Sequence, residues 1–262
     1  MKFIIQQEIM KGNNPDKSWD YTSFSANDNW REIILNLEND DNFYVCFVTI
    51  PVSFFIMNNC EKLASGLTWP TIMLNLYDPN SILNFNVYNT VLGDMSLNHA
   101  SDIITLGQLK TYTKHDKFFV RPISPWKSFT GFDSSVSESV IDYNSIKNLY
   151  NIPDHTLCAI SSYKKLDPLE YRCYYIEGEL VTCSAYGWDN PDYNASIPCE
   201  VLDLASKVGE QLEYYGDVYV IDIAIFDGKP YVIELNAVPT SGWYDGMNVN
   251  KLLSKMEQIY NV

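Results

Sequence analysis

The chain has 262 residues, 46% hydrophobic and 19% charged, which is enough apolar material for a sizeable core and argues against a disordered chain. A formal net charge of −15 repels polyphosphate backbones, so sequence-independent nucleic-acid binding is excluded while a local basic pocket for one nucleotide is not. Six cysteines without a Cys-x-x-Cys pair, no apolar run of membrane-spanning length, and an N-terminus that turns polar at Gln6-Gln7-Glu8 predict a cytoplasmic protein with reduced thiols.

Phe3 to Gln6 reads as a first strand. Asn29 to Leu37 has apolar residues at helical spacing, with Asp28 as the N-cap. The apolar run Phe43 to Ile50, ending at Pro51, predicts a buried strand. Residues 52–98 carry no clear pattern, and a soft boundary at residue 105 divides an N-terminal α/β region, 1–105, from a second domain, 106–262. In that domain Lys117 to Pro122 is a strand entering the loop Ile123 to Gly131, Asn144 to Tyr150 a short helix capped by Asp142, and Leu157 to Ser161 a strand. Tyr171 to Ile176 and Leu180 to Tyr186 form a hairpin across Glu177-Gly178. Glu200 to Tyr215 is a helix with Val201, Leu204, Val208 and Leu212 on one face. Val218 to Phe226 and Tyr231 to Asn236 form a second hairpin, and Met247 to Ile259 is a terminal helix with Val249, Leu252, Leu253 and Met256 inward. His99, His115 and His155 show no metal-ligand spacing.

The second hairpin is the most informative segment. Val220-Ile221-Asp222-Ile223-Ala224 and Val232-Ile233-Glu234-Leu235-Asn236 place charged and amide groups inside apolar strands, where a lone carboxylate is costly without a partner or a cation. Glu234 and Asn236 share a face. A two-residue Asp227-Gly228 loop would pair Asp222 with Ile233 and put Glu234 on the other face. A three-residue loop through Lys229 would pair Phe226 with Pro230, Asp222 with Glu234, and Val220 with Asn236. Adjacent carboxylates repel unless a cation lies between them, and two carboxylates with an amide oxygen suit Mg²⁺. The alternative is an ordinary hairpin with polar residues facing solvent.

Three cations stand against this acidic background. Arg121 closes the strand Phe118-Phe119-Val120, Lys127 lies in the loop Ser124-Pro125-Trp126-Lys127-Ser128-Phe129-Thr130-Gly131, and Arg172 is inside Tyr171-Arg172-Cys173-Tyr174-Tyr175. Arginine suits bidentate phosphate contact and lysine a point contact. Singly, each reads as a surface cation with a buried stem; with the carboxylate hairpin downstream, the set reads as two sides of an Mg-nucleotide site.

This order of motifs resembles the ATP-grasp superfamily over about the last 150–160 residues. Phe119-Val120-Arg121-Pro122, Lys127, Phe129-Thr130-Gly131, Glu170-Tyr171-Arg172 and Glu234-Leu235-Asn236-Ala237-Val238-Pro239 look like a clade of phages and bacteria named for two arginines and a lysine, which would place a phage-encoded copy in the host cytoplasm. The resemblance implies an α+β fold in which two antiparallel sheet-and-helix lobes clamp ATP, preceded by the α/β region. It implies that Arg121 and Lys127 hold phosphates, that Ser161-Ser162-Tyr163 is the hinge against adenine, and that Glu170 meets the ribose. Arg172 would face the γ-phosphate or an acyl phosphate, with Arg172 and Lys127 as the catalytic cations, and Asp222, Glu234 and Asn236 would bind Mg²⁺. The sequence departs from better-known ATP-grasp enzymes in having arginine at 121, where lysine is usual, and a short loop without a glycine-rich run. The activity implied is ATP- and Mg²⁺-dependent ligation of a carboxylate to an amine through an acyl phosphate. Its substrates would be small-molecule or peptide acids and amines, with no nucleic-acid or membrane partner. A kinase on the same site and a non-catalytic nucleotide-binding module are the other readings. Trp188, Tyr193, Trp243 and Tyr244 are equally readable as substrate-pocket lining or as core and surface aromatics.

Overall fold

The computed structural model describes residues 1–67, 80–125, 127–187, 196–215 and 218–260; Trp126, Trp188 and Tyr193 lie outside them. The N-terminal region is a three-stranded parallel sheet of order β2-β1-β3, formed by β1 (Lys2–Gln6), β2 (Tyr21–Phe24) and β3 (Tyr44–Phe47). The middle of the central strand β1, Phe3-Ile4-Ile5, is apolar and buried, as a strand covered on both faces must be. Its helices are α1 (Gln7–Met10), α2 (Trp30–Glu38), α3 (Ile50–Asn59) and α4 (Glu61–Leu67).

Two expectations are corrected here. The run 43–50 is not one strand: β3 stops at Phe47 and α3 starts at Ile50, with Pro51 in its first turn, where a missing N–H costs nothing. Asp28 does not cap α2; it accepts from the Ser25 amide at 2.6 Å, closing the turn that precedes the helix.

The rest of the described chain builds two four-stranded antiparallel sheets. The first has the order β4-β7-β5-β6, from β4 (Asp102–Thr105), β5 (Lys117–Pro122), β6 (Phe132–Ser135) and β7 (Leu157–Ser162). It packs on α6 (Ser139–Tyr150), which starts three residues before Asp142; Asp142 lies in the first turn and accepts from Ser134 Oγ at 2.6 Å. The second has the order β11-β10-β8-β9, from β8 (Glu170–Ile176), β9 (Glu179–Tyr186), β10 (Val218–Phe226) and β11 (Lys229–Asn236). Around it lie α5 (Phe85–Leu92), α7 (Cys199–Leu212) and α8 (Val249–Tyr260). The apolar faces expected for the last two are buried: Val201, Leu204, Val208 and Leu212 on α7, and Val249, Leu252, Leu253 and Met256 on α8.

Two cores divide the molecule. Leu106, Leu109, Phe118, Val120, Phe129, Tyr143, Cys158 and Ile160 form a small one under the sheet β4-β7-β5-β6. The large one runs without a break from the N-terminal sheet into the sheet β11-β10-β8-β9. Trp243 is part of that junction: it is fully buried and meets the Phe47 ring edge-on at 5.1 Å, so it is a core residue. Residues of both sheets line a cleft between the two lobes.

The packing of α7 on β8 depends on Gly209, since a Cβ there would come within 2.2 Å of the Tyr175 ring. Gly209→Ala would gain about 1 kcal/mol of helix propensity. Overpacking against a buried ring costs roughly 1–3 kcal/mol, so a net loss of stability is expected. A melting temperature at or above the parent's would show that the ring moves aside freely.

Candidate nucleotide and metal site

The hairpin β10–β11 closes with a two-residue turn, Phe226 pairing with Lys229 and both Asp227 and Gly228 at positive φ (51° and 72°). This is the geometry that Asp-Gly favours. Run on regularly, that ladder would oppose Asp222 to Ile233. It does not, because the register shifts between Asp222 and Ile223: Ile223 pairs with Val232 and Asp222 with Glu234, leaving Ile233 as the extra residue of a bulge. The three-residue turn is thus corrected, yet the pairs it was invoked to explain, Asp222 with Glu234 and Val220 with Asn236, are present.

The bulge is held from outside the hairpin. The freed Ile233 carbonyl accepts from Arg121 Nη1 at 2.7 Å and from the Tyr88 hydroxyl at 3.2 Å. Arg121 reaches it from the end of β5 with Phe85 beneath, its guanidinium carbon 4.7 Å from the ring centroid. Its Nη2 donates to Glu234 Oε1 at 2.6 Å, and Lys127 Nζ donates to Glu234 Oε2 at 2.7 Å. Lys127 is itself at φ 49°, a left-handed conformation that a non-glycine residue holds only when its surroundings impose it. Burial alone would raise the Glu234 pKa, but Lys127 and Arg121 outweigh it and hold the carboxyl at about 2.

Beside Glu234 lies Asp222, 1% exposed. Arg172 Nε and Nη2 grip its two oxygens at 2.8 and 2.7 Å. Asn236 Nδ2 donates both to Asp222 Oδ2 at 2.8 Å and to Glu234 Oε2 at 3.1 Å, so one small amide sits where the two carboxylates converge. An amide carries an oxygen and a nitrogen on one planar group, and which end faces the carboxylates is set by what it must satisfy. With its oxygen inward, Asp222, Glu234 and Asn236 supply three hard ligands at one point, a donor set that fits Mg²⁺.

A cleft of about 710 Å³ opens between the lobes, within the range of small-molecule sites. Among its lining residues are Arg121, Lys127 and Glu234, and also Ser161, Ser162, Tyr163 and Glu170. Asn236 and Lys127 also line a small adjoining crevice. Asp222 and Arg172 lie behind the cleft wall. Burial pushes the Glu170 pKa up, the Tyr186 hydroxyl works against it, and the charges of Asp222 and Glu234 add to the rise. Tyr244 stacks on Tyr186 at 4.3 Å.

Sequence reading missed Phe85, Tyr88 and Lys164. The first two lie in the stretch 52–98 without a clear pattern. Lys164 directly follows Ser161-Ser162-Tyr163, lines the cleft and donates to Asn98 Oδ1 at 3.2 Å; burial lowers its pKa. A lysine at the end of a serine-rich strand was a usable signal.

Two antiparallel lobes, a cleft between them and a carboxylate hairpin at its end are the architecture of ATP-grasp proteins, and solved structures of that fold match. D-cycloserine synthetase DcsG aligns at TM-score 0.60 and 10% identity over 99% of this chain and 98% of its own. The D-alanine–D-alanine ligase from Bacillus anthracis complexed with ATP aligns at 0.54 and 15% over 99% and 97%. The ATP-grasp ligase PsnB, complexed with a phosphomimetic variant of its minimal precursor, Mg and ADP, aligns at 0.50 and 13% over 98% of each chain. The sequence itself matches the model of the ATP-grasp domain, R2K clade family 3, over residues 86–256, and the chain belongs to that family. A comparison with curated proteins gives no match. Among the described residues no helix is long and apolar enough to cross a membrane.

Proposed function

We propose that this protein is an ATP- and Mg²⁺-dependent carboxylate–amine ligase of the ADP-forming type. The observation that carries the reading is the convergence of Asp222, Glu234 and Asn236 on one point beside Arg121 and Lys127, at the wall of a nucleotide-sized cleft. The similarity to DcsG, to D-alanine–D-alanine ligase and to PsnB supports a small-molecule or peptide acid and an amine as substrates.

Arg121 and Lys127 would take the phosphate oxygens, Ser161-Ser162-Tyr163 the adenine and Glu170 the ribose. Mg²⁺ on Asp222, Glu234 and Asn236 would neutralise charge on the phosphates during transfer. The residues' own work is positioning. Arg121 and Lys127 orient the transferring group, and the separate lobes exclude water when they close on it. The substrate carboxylate would attack the γ-phosphorus and release ADP. The amine would then attack the acyl carbon and release phosphate. A free amine needs no protein base for that step.

The test has two parts. Mg-ATP should raise the melting temperature, because a ligand that binds only the folded state stabilises it by mass action, and ATP with EDTA should do so much less. Equal shifts would remove the metal assignment. With pooled acids and amines, the products should then be ADP, phosphate and an amide in equal amounts. A stable phosphorylated product would make the protein a kinase, and no turnover with intact Mg-ATP binding would make it a binding module.

A further inference from the structure

Four side chains form one row across the second sheet: Ser184 on β9, Arg172 on β8, Asp222 on β10 and Glu234 on β11, each opposite the next. Glu234 is at the cleft and Arg172 is two strands behind it. Arg172 is 8% exposed and its guanidinium is occupied on every nitrogen: Nε and Nη2 on Asp222, and Nη1 on the Gly242 carbonyl at 3.4 Å. The rings of Tyr186 and Tyr244, stacked on each other, lie 5.2 and 5.0 Å from its central carbon. Arg121 and Lys127, by contrast, lie on the cleft wall.

We propose that Arg172 is a positioning residue for the metal carboxylate Asp222, not a contact to the phosphoryl group. The inference rests on the reading of Asp222, Glu234 and Asn236 as the Mg²⁺ ligands. A carboxylate as buried as Asp222 must be paired, and a bidentate fork fixes the plane of the group as well as its charge. With Nε on one oxygen and Nη2 on the other, the free lone pairs of Asp222 are directed to the side where Asn236 and Glu234 lie. Outer partners of this kind tune the affinity of a metal without touching it. A lysine cannot do the same, because its point charge leaves the carboxylate plane free to rotate. The two tyrosines and the Gly242 carbonyl hold the fork itself in place.

The experiment measures Mn²⁺ binding in the presence of ADP, by the loss of the free-ion electron-paramagnetic signal. It compares the full chain with Arg172→Lys, Arg172→Gln, Asp222→Asn and the Arg172→Gln/Asp222→Asn pair. Melting curves check the fold, and ADP affinity is measured separately in EDTA. Both Arg172 variants should bind Mn²⁺ roughly 10–100-fold more weakly. Metal-free ADP should bind as it does to the parent. In the Asp222→Asn background the Arg172 change should add little, because its target is gone. Parent-like Mn²⁺ affinity, a loss of metal-free ADP affinity, or fully additive effects would each overturn the proposal. If Arg172→Gln fails to fold, Arg172→Lys, which keeps the charge against Asp222, decides. If the parent itself does not bind Mn²⁺ with ADP, the metal reading falls and this inference with it.

Discussion

Glu234→Gln is expected to lower turnover by about a thousandfold, the equivalent of roughly 4 kcal/mol of lost charge neutralisation at the metal. The same change is expected to tighten the binding of metal-free ATP by about tenfold. The second effect follows from the pairing. Arg121 and Lys127, the two cations proposed to meet phosphate, are bonded to the two oxygens of Glu234. Nucleotide without metal would have to pull both cations away and leave a carboxylate of pKa about 2 ionised beside its phosphates. Metal without nucleotide would have to enter against two cations. If both ligands arrived together, Glu234 would be free to hold the metal and Arg121 and Lys127 to meet the phosphates. Glutamine keeps the size and releases the cations from an ion pair. The measurement is ATP affinity in EDTA and single-turnover rate in Mg²⁺, for parent and variant. An unchanged rate would remove Glu234 from the metal site, and weaker metal-free binding would show that its charge does not hold the cations back.

What the sequence made legible is which polar side chains gather at one place; what it hid is the way distant segments bring them there. Asp222, Glu234 and Asn236 stood out because a charge inside an apolar strand has few explanations. Their common face was harder to find, since it depends on a bulge at Ile233 whose carbonyl is bonded by Arg121 and Tyr88, more than a hundred residues away. From sequence alone, the pairing of Asp222 with Glu234 is tied to a three-residue loop; the turn has two residues, and the ladder reaches the same pairing through a bulge that a tertiary contact holds. Arg172 shows the same limit: its type announced an anion partner, but only the pairing of β8 with β10 reveals that the partner is Asp222. Short strands such as Tyr21–Phe24 and Phe132–Ser135 carry too few apolar residues to announce themselves and exist because their neighbours complete a sheet. The long amphipathic helix at 199–212 needed no such help.

Arg121 joins these two scales, and its removal should therefore be felt twice. Its side chain is 14% exposed and that of Glu234 is 20%, so the pair is shielded from solvent. Removing one partner of such a pair costs about 3 kcal/mol or more, because the other charge stays buried. Here Lys127 and Asn236 remain on Glu234, and Tyr88 remains on the Ile233 carbonyl, so a loss near 2 kcal/mol is expected on the same grounds. Nucleotide affinity should fall as well, since a hydrogen bond from a charged donor is worth about 1.5–3 kcal/mol, or roughly 10–150-fold. Lys127→Ala separates the two effects: its side chain is 43% exposed and, among the described residues, its ammonium bonds only the Glu234 carboxylate, so it should weaken Mg-ATP without lowering the melting temperature. Arg121→Lys should recover part of the affinity and little of the stability, because one ammonium cannot hold both the bulge carbonyl and Glu234 with the geometry of the fork. Calorimetric melting and Mg-ATP titration of the three variants give the comparison. If Arg121→Ala melted with the parent, the bulge would stand without it. If it bound Mg-ATP as the parent does, Arg121 would belong to the scaffold of the hairpin alone, and Lys127 would be the phosphate contact on that wall.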